Sequence, residues 1–130
     1  MSAYLEVGTG EVCYANAGHE PPLLARRDGT IDSLQPTGPI LGAVEGARFE
    51  NRRLFISPGD WLMLVTDGVT EARDATGEFL ESAGAADLLI RAAGQPTTVK
   101  GVETVARDLA RFTGGQQHDD IAIVILRRVP

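Results

Sequence analysis

The chain has 130 residues, of which 43% are hydrophobic and 23% are charged, which excludes a disordered chain and allows one domain with a buried core. The formal net charge of −6 excludes nonspecific binding to nucleic acid or to an anionic membrane, which requires clustered lysine and arginine. Its single cysteine, Cys13, excludes an internal disulfide, and no apolar run approaches the length of a membrane span. We therefore expect a soluble, cytoplasmic protein.

Short strands separated by turn signals are predicted for the first half of the chain. Two hairpins are expected, one from residues 4–7 and 11–17 and the other from residues 23–27 and 30–34. The dipeptide Asp28-Gly29 in the second hairpin favours a tight turn of the primed type. Residues 36–46, which contain several glycines and prolines, are expected to be irregular.

A third hairpin-like pair is predicted from residues 53–56 and 60–65, joined by a turn at Ser57-Pro58-Gly59. Residues 61–65 are apolar throughout, whereas a strand with one face in water alternates apolar and polar residues. We therefore expect this strand to lie in the centre of a sheet that is covered on both faces.

Helical periodicity replaces the strand pattern after Gly68. The first predicted helix buries Ala85, Leu88, Leu89 and Ala92, and it ends at Gly94 and Pro96. The second presents Val102, Val105, Ala106, Leu109 and Phe112 on one face, and it ends at Gly114-Gly115. A final apolar strand is predicted at residues 121–126. Strands, two helices and a returning strand indicate an α+β layered domain.

Carboxylates stand at the ends of two buried strands. Asp67 follows the strand at 61–65, and Asp119 and Asp120 precede the strand at 121–126, so antiparallel pairing of these strands would bring the carboxylates together. Mutually repelling carboxylates are stabilised by a hard divalent cation, here Mg²⁺ or Mn²⁺, and alternation along the strand allows one of Asp119 and Asp120 to reach it. Aspartate at strand ends is equally common in ordinary turns, so both interpretations stand on this evidence.

Several other catalytic and metal sites are excluded by the residues around these aspartates. A phosphatase of the haloacid dehalogenase type needs D-x-D, but Val65 and Val69 stand two residues before and after Asp67. An EF-hand loop needs alternating oxygen ligands that residues 67–78 lack. With only His19 and His118, the sequence contains neither a zinc-ligand spacing nor the order of a Ser-His-Asp triad.

Four motifs carry a resemblance to a known family. They are TDGVTEA at 66–72 preceded by PGDWLMLV, NAGH at 16–19, GPILG at 38–42 and DDIAIVIL at 119–126. In their order along the chain, with NAGH first, then GPILG, TDGVTEA and DDIAIVIL, they resemble the SpoIIE/RsbU branch of the metal-dependent PPM (PP2C-like) serine/threonine phosphatases. The resemblance implies a layered αββα sandwich of antiparallel sheets with flanking helices, and a two-metal Mn²⁺ or Mg²⁺ centre whose water attacks phosphorus.

Site residues follow from the same motif match. Asp67 and Asp119 correspond to metal ligands of the family and are the expected catalytic residues. Gly68 and Asp120 are assigned to the same metal site, and Asn16 and His19 to substrate binding. The resemblance further implies a phosphorylated signalling protein as partner, such as an anti-sigma-factor antagonist, and no nucleic acid or membrane.

One family motif is missing, the upstream D-x-x-G-H-G segment that supplies further metal ligands. We therefore expect residues 1–130 to be the C-terminal part of a single phosphatase domain, incomplete at its N-terminus, with weak metal binding and self-association through uncovered sheet surface. The chain would be a piece of a longer protein, a short relative used for binding, or half of a site that another chain completes. The alternative function is a catalytically silent module for phosphoprotein binding or dimerisation.

Overall fold

Two antiparallel β-sheets form the centre of the fold in the computed structural model, which describes residues 1–116 and 119–129. The three-stranded sheet has the order β1-β2-β5, and the four-stranded sheet has the order β4-β3-β6-β7. The strands are β1 (Ser2–Glu6), β2 (Glu11–Ala15), β3 (Leu23–Ala25), β4 (Ile31–Ser33), β5 (Arg52–Phe55), β6 (Trp61–Val65) and β7 (Ile123–Arg127). The helices are α1 (Asp67–Thr70), α2 (Glu81–Ala93) and α3 (Thr98–Phe112).

The hydrophobic core has two parts, one on each side of the four-stranded sheet. The part between the sheets contains Val12, Tyr14, Leu24, Leu34, Ile56 and Leu62. The other part lies between the four-stranded sheet and the pair α2 and α3. The predicted class, two antiparallel sheets with flanking helices, is therefore confirmed. In the described ranges no helix covers the outer face of the three-stranded sheet.

Strand β6 lies between β3 and β7 and is covered on both faces, as its continuous apolar sequence predicts. Trp61, Met63 and Val65 pack towards the helices, whereas Leu62 and Leu64 pack between the sheets. Burying a large apolar side chain stabilises the fold by about 1.5–3 kcal/mol, so β6 anchors both parts of the core.

Helix α2 buries the four predicted residues, but α3 is rotated from its predicted orientation. Val105 and Leu109 are buried as expected, together with Gly101, whereas Val102 and Ala106 are exposed. The cause is Trp61, because a Cβ atom at Gly101 would lie 2.8 Å from the Trp61 ring, so only glycine lets the helix approach the indole. Among the described residues, no helix has the length and apolar character needed to cross a bilayer.

The predicted pairing of residues 53–56 with 60–65 is wrong, because the two strands belong to different sheets. Strand β5 pairs with β2, and β6 pairs with β3 and β7. The connecting turn is confirmed, with the Asp60 N–H donating to the Ser57 carbonyl at 2.9 Å. The buried Asp60 carboxylate holds this crossing by accepting hydrogen bonds from its surroundings.

Both other hairpins are confirmed, but the turn of the second differs from the prediction. Of its two central residues only Gly29 has a positive φ, +90°, whereas a type I′ turn requires positive φ at both. The Gly29 N–H donates to the Arg26 carbonyl, and the Arg26 N–H to the Thr30 carbonyl. The result is a three-residue loop, because the Asp28 carboxylate accepts two hydrogen bonds from Thr30 and keeps Asp28 out of the left-handed region.

Candidate metal centre at the ends of two paired strands

The antiparallel pairing of β6 and β7 brings the segment of Asp67 next to the segment of Asp119 and Asp120. Val65 lies opposite Ile123, and the next N–H, that of Thr66, donates to the Ala122 carbonyl at 3.1 Å. Gly68 lies against the other segment so closely that a methyl group there would overlap the Asp120 carbonyl. The two segments are therefore adjacent, as antiparallel pairing requires, but Asp67 and Asp119 line different clefts, and the meeting of their carboxylates and their ligand roles stay predictions.

The chain changes from strand to helix at Asp67, which explains why the apolar run ends at Asp-Gly. Thr66 is still extended, with φ −82° and ψ 163°, and its carbonyl accepts the Val69 N–H at 3.0 Å to start α1. The Asp67 carboxylate is exposed and accepts the N–H of Gly68 at 3.0 Å. The turn therefore delivers a carboxylate to the surface directly after a buried strand.

Two clefts flank α1, and each contains one of the predicted ligands. One, of about 200 Å³, is lined in part by Gly68, Arg73 and Asp119. The other, of about 260 Å³, is lined by Gly18, His19, Glu20, Thr66, Asp67 and Glu71. Glu71 lines both clefts, so the described lining of the two clefts contains four carboxylates, those of Glu20, Asp67, Glu71 and Asp119.

The chemistry of the donors fits a hard divalent cation, since Asp67 and Asp119 offer carboxylate oxygens and the described residues that line the cleft of Asp119 include no thiolate or imidazole. Their number does not complete a site. Within residues 1–116 and 119–129, no three side chains of His, Cys, Asp or Glu are grouped closely enough to hold a metal ion. His118 lies outside the described residues. The described carboxylates therefore do not form a complete coordination sphere by themselves.

The structure shows a side-chain contact for Asp119 and a backbone contact for Asp120. The side chain of Asp119 lines the cleft with Gly68 and also accepts the N–H of Asp120 at 2.7 Å. The carbonyl of Asp120 accepts a hydrogen bond from the Thr66 hydroxyl at 2.9 Å. The contact described for Asp120 is made by its backbone carbonyl, so the metal roles of both residues stay predictions.

The turn at residues 16–19 is held by Asn16. Its buried side-chain amide donates to the His19 carbonyl at 2.9 Å and accepts the His19 N–H at 3.0 Å. His19 Nδ1 lies 2.8 Å from the Glu20 carbonyl, which can only accept, so Nδ1 carries the proton and Nε2 is the second polar atom of the ring. His19 is half-buried and lines the cleft of Asp67. Substrate contact stays a prediction for both residues, and the structure adds a positioning role for Asn16.

Two further charged residues of this region, Glu71 and Arg73, were not assigned to the site from the sequence. Glu71 follows the short helix α1 as its C-cap and lines both clefts. Arg73 lies in the cleft of Asp119, with its guanidinium 4.4 Å from the centre of the Phe79 ring. The sequence signal was the position of both just after TDGV, but no spacing rule distinguishes them from ordinary surface charges.

A hydrogen-bonded loop supports Arg73. The Asp74 carboxylate accepts the Thr76 hydroxyl at 2.6 Å, the Thr76 N–H at 2.8 Å and the Glu78 N–H at 3.1 Å. The hydrogen bonds from Thr76 lower the pKa of Asp74 below its ordinary value, so the loop is held by an ionised carboxylate at neutral pH. This loop brings Phe79 back to the Arg73 side chain.

Comparison with known proteins identifies the family. The family described as "Stage II sporulation protein E (SpoIIE)" matches residues 1–129. The chain belongs to the SpoIIE family. It is 31% identical over 125 residues to the protein IcfG of Synechocystis, a match that covers 95% of this chain. It is 33% identical over 118 residues to the phosphoserine phosphatase RsbU of Bacillus subtilis, covering 88% of this chain.

A solved structure supports the fold assignment of this SpoIIE-family chain. The SiaA-PP2C domain of Pseudomonas aeruginosa superimposes with a TM-score of 0.77 over 91% of the chain, at 26% identity. The chain spans 19% of the length of IcfG, 34% of RsbU and 46% of the SiaA structure. The architecture is thus PP2C-like, and the activities of these longer proteins enter below only as proposals.

Proposed function

We propose that this chain is the C-terminal part of a metal-dependent protein phosphatase domain that hydrolyses phosphoserine or phosphothreonine on a signalling protein. The observation that carries the proposal is the pairing of β6 with β7, which brings the segments of Asp67 and Asp119 together at one sheet end. Membership of the SpoIIE family and similarity to a phosphoserine phosphatase support the same reaction.

Asp67 and Asp119 are the proposed ligands for Mn²⁺ or Mg²⁺, with Gly68 and Asp120 forming the adjoining backbone. Ions held there would supply activation of a water molecule for attack on phosphorus and neutralisation of charge on the phosphate oxygens. The remaining ligands come from outside the described residues, since these contain no three grouped metal-binding side chains. An isolated chain of this length is therefore expected to bind metal weakly.

Arg73 and His19 are the proposed contacts to the phosphoprotein. The guanidinium of Arg73 shares a cleft with Asp119 and matches the geometry of phosphate oxygens. His19 presents Nε2 as a second polar group in the cleft of Asp67, with its ring fixed by the Glu20 carbonyl. Asn16 acts in this proposal by holding the backbone of His19.

An anti-sigma-factor antagonist is the proposed class of partner. The similarity to RsbU is the reason for this choice, and RsbU itself is described as a phosphoserine phosphatase. The net charge of −6 argues against nucleic acid in this role. A phosphorylated form of such a protein is the substrate to assay once activity on a small phosphate ester is established.

Mn²⁺-dependent hydrolysis of a small aryl phosphate is the experiment that tests the proposal. We expect low activity that is lost in Asp67→Asn and in Asp119→Asn, because each removes a charged ligand. Asp87→Asn is the matched control, since Asp87 is an exposed aspartate on α2. Activity that survives both ligand substitutions would contradict the proposed site.

If the 130-residue chain has no activity, the same substitutions are made in a longer protein that includes an upstream D-x-x-G-H-G motif. Loss of activity there in Asp67→Asn and Asp119→Asn supports the proposal. Activity unaffected by either substitution contradicts it.

A catalytically silent binding or dimerisation module is the second candidate function. Tyr4 and Phe55 are 69% and 57% exposed on the three-stranded sheet, and β1 pairs with a strand on one side only. Such surfaces favour association with another chain. Sedimentation analysis tests this candidate, and a compact monomer at high protein concentration would count against it.

A further inference from the structure

The side chain of Thr66 takes the place of a backbone acceptor where the pairing of β6 and β7 ends. The Thr66 N–H donates to the Ala122 carbonyl at 3.1 Å, and in a regular antiparallel pair the Ala122 N–H would donate back to the Thr66 carbonyl. That carbonyl accepts the Val69 N–H instead, at 3.0 Å, because α1 starts here. The Ala122 N–H donates to the Thr66 hydroxyl oxygen at 3.0 Å.

The same hydroxyl also holds the segment of the predicted ligands. It donates to the Asp120 carbonyl at 2.9 Å, so it serves as acceptor for one residue and donor to another across Ile121. Thr66 makes no side-chain hydrogen bond to cap α1, although threonine before a helix commonly does. Its hydroxyl is directed to the neighbouring strand instead.

We propose that Thr66 is a positioning residue that fixes the Asp119–Asp120 segment against Asp67 and thereby sets the spacing of the two metal ligands. The effect of Thr66 on metal binding rests on the function proposed above. Gly68 allows the close approach of the Asp120 carbonyl, and Thr66 holds that carbonyl in place. The branched side chain restricts χ1, so the hydroxyl is pre-oriented.

Three single substitutions separate the hydroxyl from the shape of the side chain. Thr66→Val keeps the shape and removes the hydroxyl, and Thr66→Ser keeps the hydroxyl. Thr70→Val is the matched control, because the Thr70 hydroxyl donates to the Asp67 carbonyl at 3.2 Å and does not bridge to residues 119–122. If Thr66→Val does not fold, Thr66→Ala replaces it as the variant without a hydroxyl.

The first measurement is amide hydrogen exchange of Ala122 followed by NMR. We expect Thr66→Val to lose the protection of this amide, whereas Thr66→Ser and Thr70→Val retain it. The second is Mn²⁺ affinity from the EPR signal of the free ion. Loss of a residue that orients metal ligands lowers affinity about 10- to 100-fold, and this is the decrease expected for Thr66→Val. Thr66→Ser is expected to restore affinity.

Unchanged Ala122 exchange in Thr66→Val would overturn the inference, and so would equal loss of protection in Thr66→Ser. Unchanged Mn²⁺ affinity in Thr66→Val, with Ala122 deprotected, would overturn the link between this hydroxyl and the spacing of the ligands. If the unsubstituted chain binds no Mn²⁺, the proposed function fails for this chain, and the exchange data alone decide the positioning role.

Discussion

The two ends of β6 carry aspartates with opposite surroundings. Asp60, directly before the strand, is 2% exposed, and its carboxylate accepts hydrogen bonds from Arg26 Nη1, the Arg27 N–H and the Ser57 N–H at 3.0, 3.1 and 2.9 Å. Asp67 lies two residues after the end of the strand, next to Thr66, and is exposed in a cleft that also contains Glu71. One carboxylate is matched by donors of the protein, whereas the other has acidic neighbours and suits an external cation.

The cause of this difference is the path of the chain at each end. At Asp60 the chain crosses between the sheets where water is excluded, so a carboxylate persists there only with donors around it. Arg26 supplies one and also links the crossing to the Phe55 carbonyl and to Asp32. At Asp67 the chain turns outward into α1, so water or a metal ion can reach the carboxylate.

The largest effect is expected for Asp60→Asn, which should lower the free energy of unfolding by about 3 kcal/mol. The amide keeps the shape but turns one acceptor into a donor that faces another donor, and it leaves Arg26 without its buried partner. Urea denaturation measures the change. A loss below 1 kcal/mol, on the order of one ordinary hydrogen bond, would show that the carboxylate is not required at this end of β6.

A smaller loss of stability, about 1–3 kcal/mol, is expected for Gly68→Ala, because the added methyl group overlaps the Asp120 carbonyl. The two ligand segments should move apart and Mn²⁺ binding should weaken. Gly94→Ala is the matched control, since its added Cβ meets only ordinary contacts of 3.5 Å or more at a φ of −73°. Thermal unfolding compares the two, and equal stability would remove the evidence for close contact at Gly68.

A third aspartate, Asp108 on α3, should make a pH-dependent contribution to the free energy of unfolding that is smaller than the two effects above. Burial raises the pKa of Asp108, but Arg107 and Arg91 outweigh it, so the net pKa lies below its ordinary value. Its contribution is therefore present above the unfolded pKa of about 3.9 and is lost as the pH falls through the folded value. Asp108→Asn should make unfolding less sensitive to pH below about 4. Identical pH profiles for the two proteins would contradict this assignment.

The smallest change in stability is expected for Asp67→Asn, within about 0.5 kcal/mol, because the side chain is exposed and the asparagine amide oxygen can still accept the Gly68 N–H. Mn²⁺ binding should nevertheless be lost. Urea denaturation without metal, followed by a Mn²⁺ titration, measures both quantities. A loss of stability equal to that of Asp60→Asn would remove the contrast between the two ends of β6.

The sequence predicted those features that depend on a single periodicity. The buried face of α2 and the central position of β6 followed from apolar spacing. The pairing of β6 with β7 was only a condition in the sequence argument, and the structure shows it. The rotation of α3 did not follow from apolar spacing, because it depends on contact between Gly101 and Trp61, which are distant in sequence. The separation of β5 from β6 was also hidden, since it depends on partners of Asp60 elsewhere in the chain.

The candidate site was predictable to a similar degree. Aspartates at the ends of two apolar strands indicated which segments lie side by side, and the motifs suggested a function for them. The hydrogen bonds of Thr66 and the position of Arg73 could not be predicted. A hydroxyl that bridges two strands and a guanidinium that packs on the Phe79 ring produce no pattern in the sequence. Buried Asn16 likewise gave no sign that its amide serves the backbone of His19.

The wide sequence separation of β6 and β7 has a consequence for the order of folding. Thr66 and Asp120 are bonded to each other although they lie 54 residues apart, with α2 and α3 between them. Closing so long a segment is slow compared with forming hairpins and helices, so β7 should dock after the local elements have formed. The segments of the proposed ligands Asp67 and Asp119 would then come together in one of the last steps of folding.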